Sequence, residues 1–155
     1  GLVTGVQTCA LPISAVMQRT YIAAVGGSPG LVRELRRNLT TASTTVVDDP
    51  ATATALLNIL SAQQFQRVLS VSNTGQPLEY QVAYRVEFSL TAAGKTLMDR
   101  QTLTLTRNYA YDVANVLGDV EQANVLYSAL EREMAQLITF RLEAAGLQMA
   151  APGSP

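Results

Sequence analysis

Between positions 80 and 90 the chain reads YQVAYRVEFSL, with its large apolar side chains at every second residue. Tyr80, Val82, Tyr84, Val86, Phe88 and Leu90 share one side of an extended backbone. Glu79, Gln81, Ala83, Arg85, Glu87 and Ser89 share the other. Successive side chains of a strand point to opposite faces, so this pattern predicts a long strand with one face buried and one open. The cluster Asn73-Thr74-Gly75-Gln76-Pro77 turns the chain before it, and Ala92-Ala93-Gly94-Lys95 turns it after. Leu97–Tyr109 then returns with Leu103, Leu105 and Tyr109 in one phase and Thr102, Thr104 and Thr106 in the other. Two long strands joined by a short Gly-containing turn make a hairpin. Its apolar face needs a cover, and the rest of the chain must supply one.

Two segments have the period for that role. After a short strand at Val16–Val25, Gly26-Gly27 ends the extended run, Ser28 is placed as an N-cap and Pro29 as the first helical residue. Leu31, Val32, Leu35 and Leu39 then form one helical face, opposite Arg33, Glu34, Arg36 and Arg37. Near the C-terminus, Asp112–Gly118 reads as a linker. Asp119 reads as the cap of a long helix, with Gln122 completing a capping box. Its stripe is Val120, Ala123, Tyr127, Leu130, Met134, Leu137 and Arg141, and Gly146 is its expected stop. Between the helices, Thr40–Thr54 is a polar connection with a short extended piece at Thr45–Val47. Ala55–Val71 is a long, interrupted strand in which Phe65, Leu69 and Val71 continue the phase of Leu57 and Ile59. The expected order is β-α-β-β-β-α. The expected fold is an α+β two-layer sandwich, with two helices on a largely antiparallel four-stranded sheet.

Composition removes most site chemistry. The 155 residues include no His and no Trp, and Cys9 is the single Cys. A Cys-His zinc set, a His general base and an internal disulfide are all excluded. Eleven Lys plus Arg against twelve Asp plus Glu leave a net charge of -1, so nothing draws the whole chain toward nucleic acid. No catalytic, metal or cofactor constellation stands out. Asp48 and Asp49 are adjacent, so their side chains diverge. Gly26–Gly30 lacks any phosphate-loop pattern, and Pro29 removes one N–H donor. Asn38-Leu39-Thr40 matches a glycosylation sequon by chance, at a helix end.

The N-terminal run Val3–Ile13, VTGVQTCALPI, resembles the translation of a sequencing adapter. Residues 1–14 are therefore expected to be foreign to the domain and are kept out of the fold. The domain is expected over 15–146, with 147–155 as a flexible tail. Cys9 lacks the long apolar segment that precedes a lipid-bearing Cys, and is not read as an acylation site.

The local cations offer the remaining chemistry. Arg33, Arg36 and Arg37 read as a solvated helix face, while Arg67, Arg85, Lys95, Arg100 and Arg107 spread over the sheet and its turns. Arg85 and Arg100 can sit together on the hairpin's polar face. The plainer expectation for them is cross-strand pairing with an acidic neighbour, and the functional one is that two adjacent cations meet the phosphates of an anionic glycolipid. The acidic neighbours in reach are Glu87 and Asp99.

From Gly75 to Leu142 the sequence resembles a known family, the LPS-assembly lipoproteins of LptE type. Gly75-Gln76 followed by Glu79-Tyr80-Gln81 is similar to the family's signature before its alternating strand. Arg107-Asn108-Tyr109 matches its Arg with an aromatic residue two positions on. Glu121-Gln122, Leu126-Tyr127, Leu130–Met134, Leu137 and Arg141-Leu142 follow its last helix. Tyr21-Ile22 and Leu31–Leu39 correspond more loosely, so the resemblance spans Val16–Leu142. It implies a non-enzymatic outer-membrane lipoprotein on the periplasmic side that plugs the LptD β-barrel and binds lipopolysaccharide. The family's lipid-bearing Cys and the short segment after it are missing from this sequence. Asn73-Thr74 stands where some members carry a basic residue implicated in lipid contact. The candidate lipopolysaccharide contacts are instead the local cations Arg85, Lys95 and Arg100, taken from the hairpin's own charges. Two other classes compete: a periplasmic carrier of a small apolar ligand, which needs a roomy apolar cavity, and an enzyme, which the residue inventory opposes.

Overall fold

The computed structural model describes residues 17–24 and 29–150, with side chains through 145. Residues 1–14, the Gly26-Gly27 turn and the Ser28 cap lie outside the described residues. The elements are β1 (Arg19–Ala24), α1 (Pro29–Thr41), β2 (Thr45–Val47), a single 3-10 turn (Pro50–Thr52), β3 (Ala55–Val71), β4 (Pro77–Ala92), β5 (Lys95–Ala110) and α2 (Val116–Ala150). The class is α+β with two helices, as expected, but the sheet has five strands and is mixed. Its order is β2-β1-β3-β4-β5. β1 runs parallel to both β2 and β3, and the β3–β4 and β4–β5 pairs are antiparallel. The four-stranded expectation fails because Thr45–Val47 is too short to show a period, yet it pairs fully with Arg19–Tyr21. A helix between two strands also returns the chain in the same direction, which gives the parallel pairs.

The β4–β5 hairpin matches the alternation closely. Val82, Val86, Phe88 and Leu90 are wholly buried and Tyr84 nearly so. Ala93 (φ 52°) and Gly94 (φ 78°) form the tight turn, with Ala92 paired to Lys95. Two positive φ values in a two-residue loop are the type I′ geometry that suits strand twist.

β3 departs from its expected phase. Ala55, Leu57 and Ile59 point into the core, but the register to β4 slips between Ile59 and Ser61. One extra residue in a strand moves every later side chain to the opposite face. Phe65, opposite Ala83, therefore lies on the helix-free face and is 37% exposed. Leu69 and Val71 are exposed as well.

Both helices cover one face of the sheet. Leu31, Leu35 and Leu39 of α1 join Leu130, Met134, Ile138 and Leu142 of α2 in one core with the inner side chains of β3 and β4. The cap of α2 is Asn115, not Asp119: its Oδ1 accepts the Gly118 N–H at 3.2 Å. The first turn thus includes Val116 and Leu117, exposed apolar residues inside what reads as a linker. Within the stripe, Val120 and Arg141 are exposed, while Ala135, Ile138 and Leu142 are buried. The helix also continues through Gly146 to Ala150. An interior Gly is tolerable there at roughly 1 kcal/mol relative to Ala.

Candidate functional site

The helix-free face of the sheet is polar and cross-linked. Arg67 Nε donates to Gln81 Oε1 at 2.9 Å, and Gln81 Nε2 donates to Asn108 Oδ1 at 3.3 Å, so one chain of hydrogen bonds crosses β3, β4 and β5. Ser70 donates to Glu79 at 2.9 Å. Asn58 Nδ2 donates to Ser89 Oγ at 3.4 Å and to Thr91 Oγ1 at 3.3 Å. On β5, Thr102, Thr104 and Thr106 are exposed in a row. Each strand contributes its off-phase residues to this surface, the direct result of period-two alternation over a covered inner face. Phe65 is an aromatic residue on it, and the Arg85 guanidinium carbon lies 5.3 Å from the centre of its ring. The alternation of β4 alone gives no sign of this contact, because it depends on the β3 bulge.

The three expected lipid-contacting cations do not converge: Arg85 lies on the helix-free face, as does the partner of Arg100, Glu87, whereas Lys95 is paired with the buried Ala92 at the turn. Arg85 is opposite Thr104, two register positions from Thr102, which faces Glu87. Arg100 pairs with Glu87 at 3.5 Å, so the cross-strand ion pair applies to it and Arg85 is not its neighbour across the strands. Lys95 lies at the turn, opposite Ala92, exposed and outside every ion pair among the described residues. From Arg85 to Ala92 the strand rises about 24 Å at ~3.4 Å per residue. One phosphate therefore cannot touch all three.

Other singled-out residues have structural partners. Asp48 pairs with Arg36 at 3.2 Å, and Arg37 lies 3.6 Å from Glu34. Asp49 caps the 3-10 turn, accepting the Ala51 N–H at 2.9 Å. Arg107 points to the helix side and forms an ion pair with Glu133 of α2. Arg141 donates to Gln101 of β5 at 2.8 Å. Among the described residues no group of His, Cys, Asp and Glu is arranged to hold a metal ion, and no helix is long and apolar enough to cross a membrane.

The space between the layers is filled by Leu57, Ile59, Phe88, Leu130 and Met134, all without exposed surface. A groove where α1 and α2 meet the sheet is lined by polar groups, among them Arg33, Gln64 and Glu131. Burial raises the Glu131 carboxyl above its ordinary range, Arg33 pulls it back and Glu34 adds to the rise. This is not the roomy apolar chamber that a carrier of an apolar ligand needs.

Solved structures share this fold. Rare lipoprotein B from Shewanella oneidensis is 20% identical with a TM-score of 0.74, covering 84% of this chain and 98% of that one. A lipoprotein B from Nitrosomonas europaea is 28% identical with a TM-score of 0.75, covering 90% of each chain. A minor lipoprotein from Acinetobacter baumannii is 22% identical with a TM-score of 0.70, covering 83% of this chain and 92% of that one. No curated protein matches the sequence significantly. The family profile described as LptE, lipopolysaccharide-assembly, matches residues 17–142, from β1 through most of α2.

Proposed function

The chain belongs to the LptE lipopolysaccharide-assembly family, and from that premise we propose that it is the non-catalytic plug of a cognate LptD β-barrel. It acts on the periplasmic side of the outer membrane, held there by a lipid anchor. The observation that carries this reading is the pairing of a filled core with a broad outward sheet face whose side chains hydrogen-bond across three strands. A plug inside a barrel meets its partner over a large, partly polar area, and a pre-bonded polar face loses little side-chain freedom on docking. We also assign weak lipopolysaccharide contact to Arg85, Lys95 and Arg100, since three separate cations suit an extended anionic surface better than one bound phosphate.

Co-expression with the cognate barrel tests the partner claim. The tagged chain should co-purify with LptD in defined stoichiometry and survive a high-salt wash. If the two proteins expressed together fail to co-purify, the plug assignment is wrong.

A further inference from the structure

Beyond the hairpin's outer face, a second feature has no part in the plug reading. Where the N-terminal turns of α2 cross the far end of β4 and β5 there is a cavity of about 340 Å³. Its floor is aromatic. Tyr80 and Tyr109 face each other across the strands with ring centres 5.8 Å apart and planes 24° apart. Tyr111, just past β5, meets Tyr80 edge-on at 5.1 Å and 79°. Tyr127 of α2 closes another side.

Asp119 shares this space and is only 6% exposed. Its two carboxylate oxygens share one donor, the Asp112 N–H, at 3.2 Å each. A carboxylate can accept about four hydrogen bonds, so most of its capacity is unused. No Lys or Arg lines the cavity, and Asp119 belongs to no ion pair among the described residues. The negative character reaches the rings: burial first, then the charge of Asp119, and then Tyr80 and Tyr127 push the Tyr109 phenol up, against a hydrogen bond from Gln66. The rim is different. Val116 and Val120 are 51% and 53% exposed, and both line the mouth.

We infer that this cavity is a binding site for an alkylammonium or alkylguanidinium group, the stem and head of a Lys or Arg side chain on a partner protein. Ring faces carry the negative part of their quadrupole and attract a cation. A buried carboxylate without a counter-ion adds a charge-assisted bond, and the valine rim receives the methylene stem of a long basic side chain. The ligand chemistry stands on the cavity alone. Only the source of the side chain rests on the plug reading.

The test uses the full chain without any barrel, so its failure is separate from a failed co-purification. n-Butylammonium and n-butylguanidinium are titrated against backbone amide shifts, with 1-butanol as the neutral counterpart. Both cations should bind saturably, shift Val116, Asp119, Val120 and Ala123, and bind at least tenfold more tightly than the alcohol. Asp119→Asn keeps an acceptor for the Asp112 N–H and should weaken the cations tenfold or more while leaving the alcohol unchanged. Should that variant fold poorly, Tyr111→Leu, which removes a half-buried ring, should weaken the cations at least threefold. Blocked arginine and lysine should reproduce the same shifts. No saturable binding, equal binding of cation and alcohol, or full affinity in a folded Asp119→Asn would overturn the site. Putrescine binding tenfold more tightly than the blocked amino acids would overturn the side-chain assignment in favour of a free polyamine.

Discussion

Tyr84 and Phe88 have almost no exposed surface, whereas Phe65 on the adjacent strand is 37% exposed against Arg85. Truncating a buried aromatic removes its burial energy and leaves a cavity, so Tyr84→Ala or Phe88→Ala should cost about 3–5 kcal/mol in urea unfolding. Phe65→Ala forfeits an exposed cation–π contact and should cost less than roughly 1 kcal/mol. A Phe65 loss as large as that of Phe88 would place the ring in the core and remove the bulge that turns it outward. Glu131 answers to pH. Its folded carboxyl titrates above the ordinary 4.5 because burial disfavours the charged form. Its protonated form therefore contributes stability fully present below that ordinary value, and this is lost as pH rises through the folded value. Glu131→Gln mimics the neutral acid, so its melting temperature should equal the parent's near the acid end of the titration and exceed it at neutral pH. A variant less stable than the parent at neutral pH would show that the Arg33 attraction outweighs burial.

At the scale of elements, the legible parts were those whose residues repeat. The β4–β5 hairpin follows from the alternation and from Gly94, and α1 follows from Leu31, Leu35 and Leu39 on one face. β2 escaped because three residues cannot display a period, and the flip in β3 escaped because a single inserted residue near Leu60 leaves no compositional trace. The start of α2 is not legible because Val116 and Leu117 are exposed apolar residues that break the expected stripe, so the pattern points to Asp119 as the boundary while Asn115 fills that role. Removing the cap tests this. Asn115→Ala should lower stability by about 0.5–2 kcal/mol, a cost that an uncapped position would not show. The hairpin turn offers a gain instead. Ala93 holds φ at 52°, a left-handed conformation that costs an L-residue with a Cβ roughly 1–2 kcal/mol. Ala93→Asn creates the Asn-Gly pair that this turn type prefers, and should raise the unfolding midpoint in urea. A neutral or negative change would mean that the turn's strain is already relieved by the pairing of Ala92 with Lys95.

For the whole molecule, local charge in the sequence singles out Arg85, Lys95 and Arg100 as candidate lipid contacts, but it carries no information on their spacing. That spacing depends on register: Arg85 is fixed opposite Thr104, Arg100 is tied to Glu87, and Lys95 stands at the turn. The Tyr80–Tyr109 pair was likewise present as two in-phase tyrosines, but only the crossing of α2 brings Asp119 and Tyr127 to them. The different natures of the two proposed contacts lead to one combined outcome. A barrel interface spreads over many neutral hydrogen bonds and should change little when any one cation is removed. Lipid contact through separated, exposed charges should depend on screening, because the Debye length falls from about 10 Å at 0.1 M salt to about 3 Å at 1 M. The Arg85, Lys95 and Arg100 triple-Ala variant should therefore retain less lipopolysaccharide than the parent at low salt, and the gap should close at high salt, while its yield of co-purified LptD stays unchanged. Among single variants, Lys95→Ala should show the largest loss, since Lys95 breaks no ion pair to meet a phosphate and Arg100 must leave Glu87. Equal lipopolysaccharide retention by the triple variant and the parent at low salt would move the lipid contact away from these three cations and leave the barrel claim intact. Loss of LptD together with the lipid would show instead that these three cations belong to the protein interface.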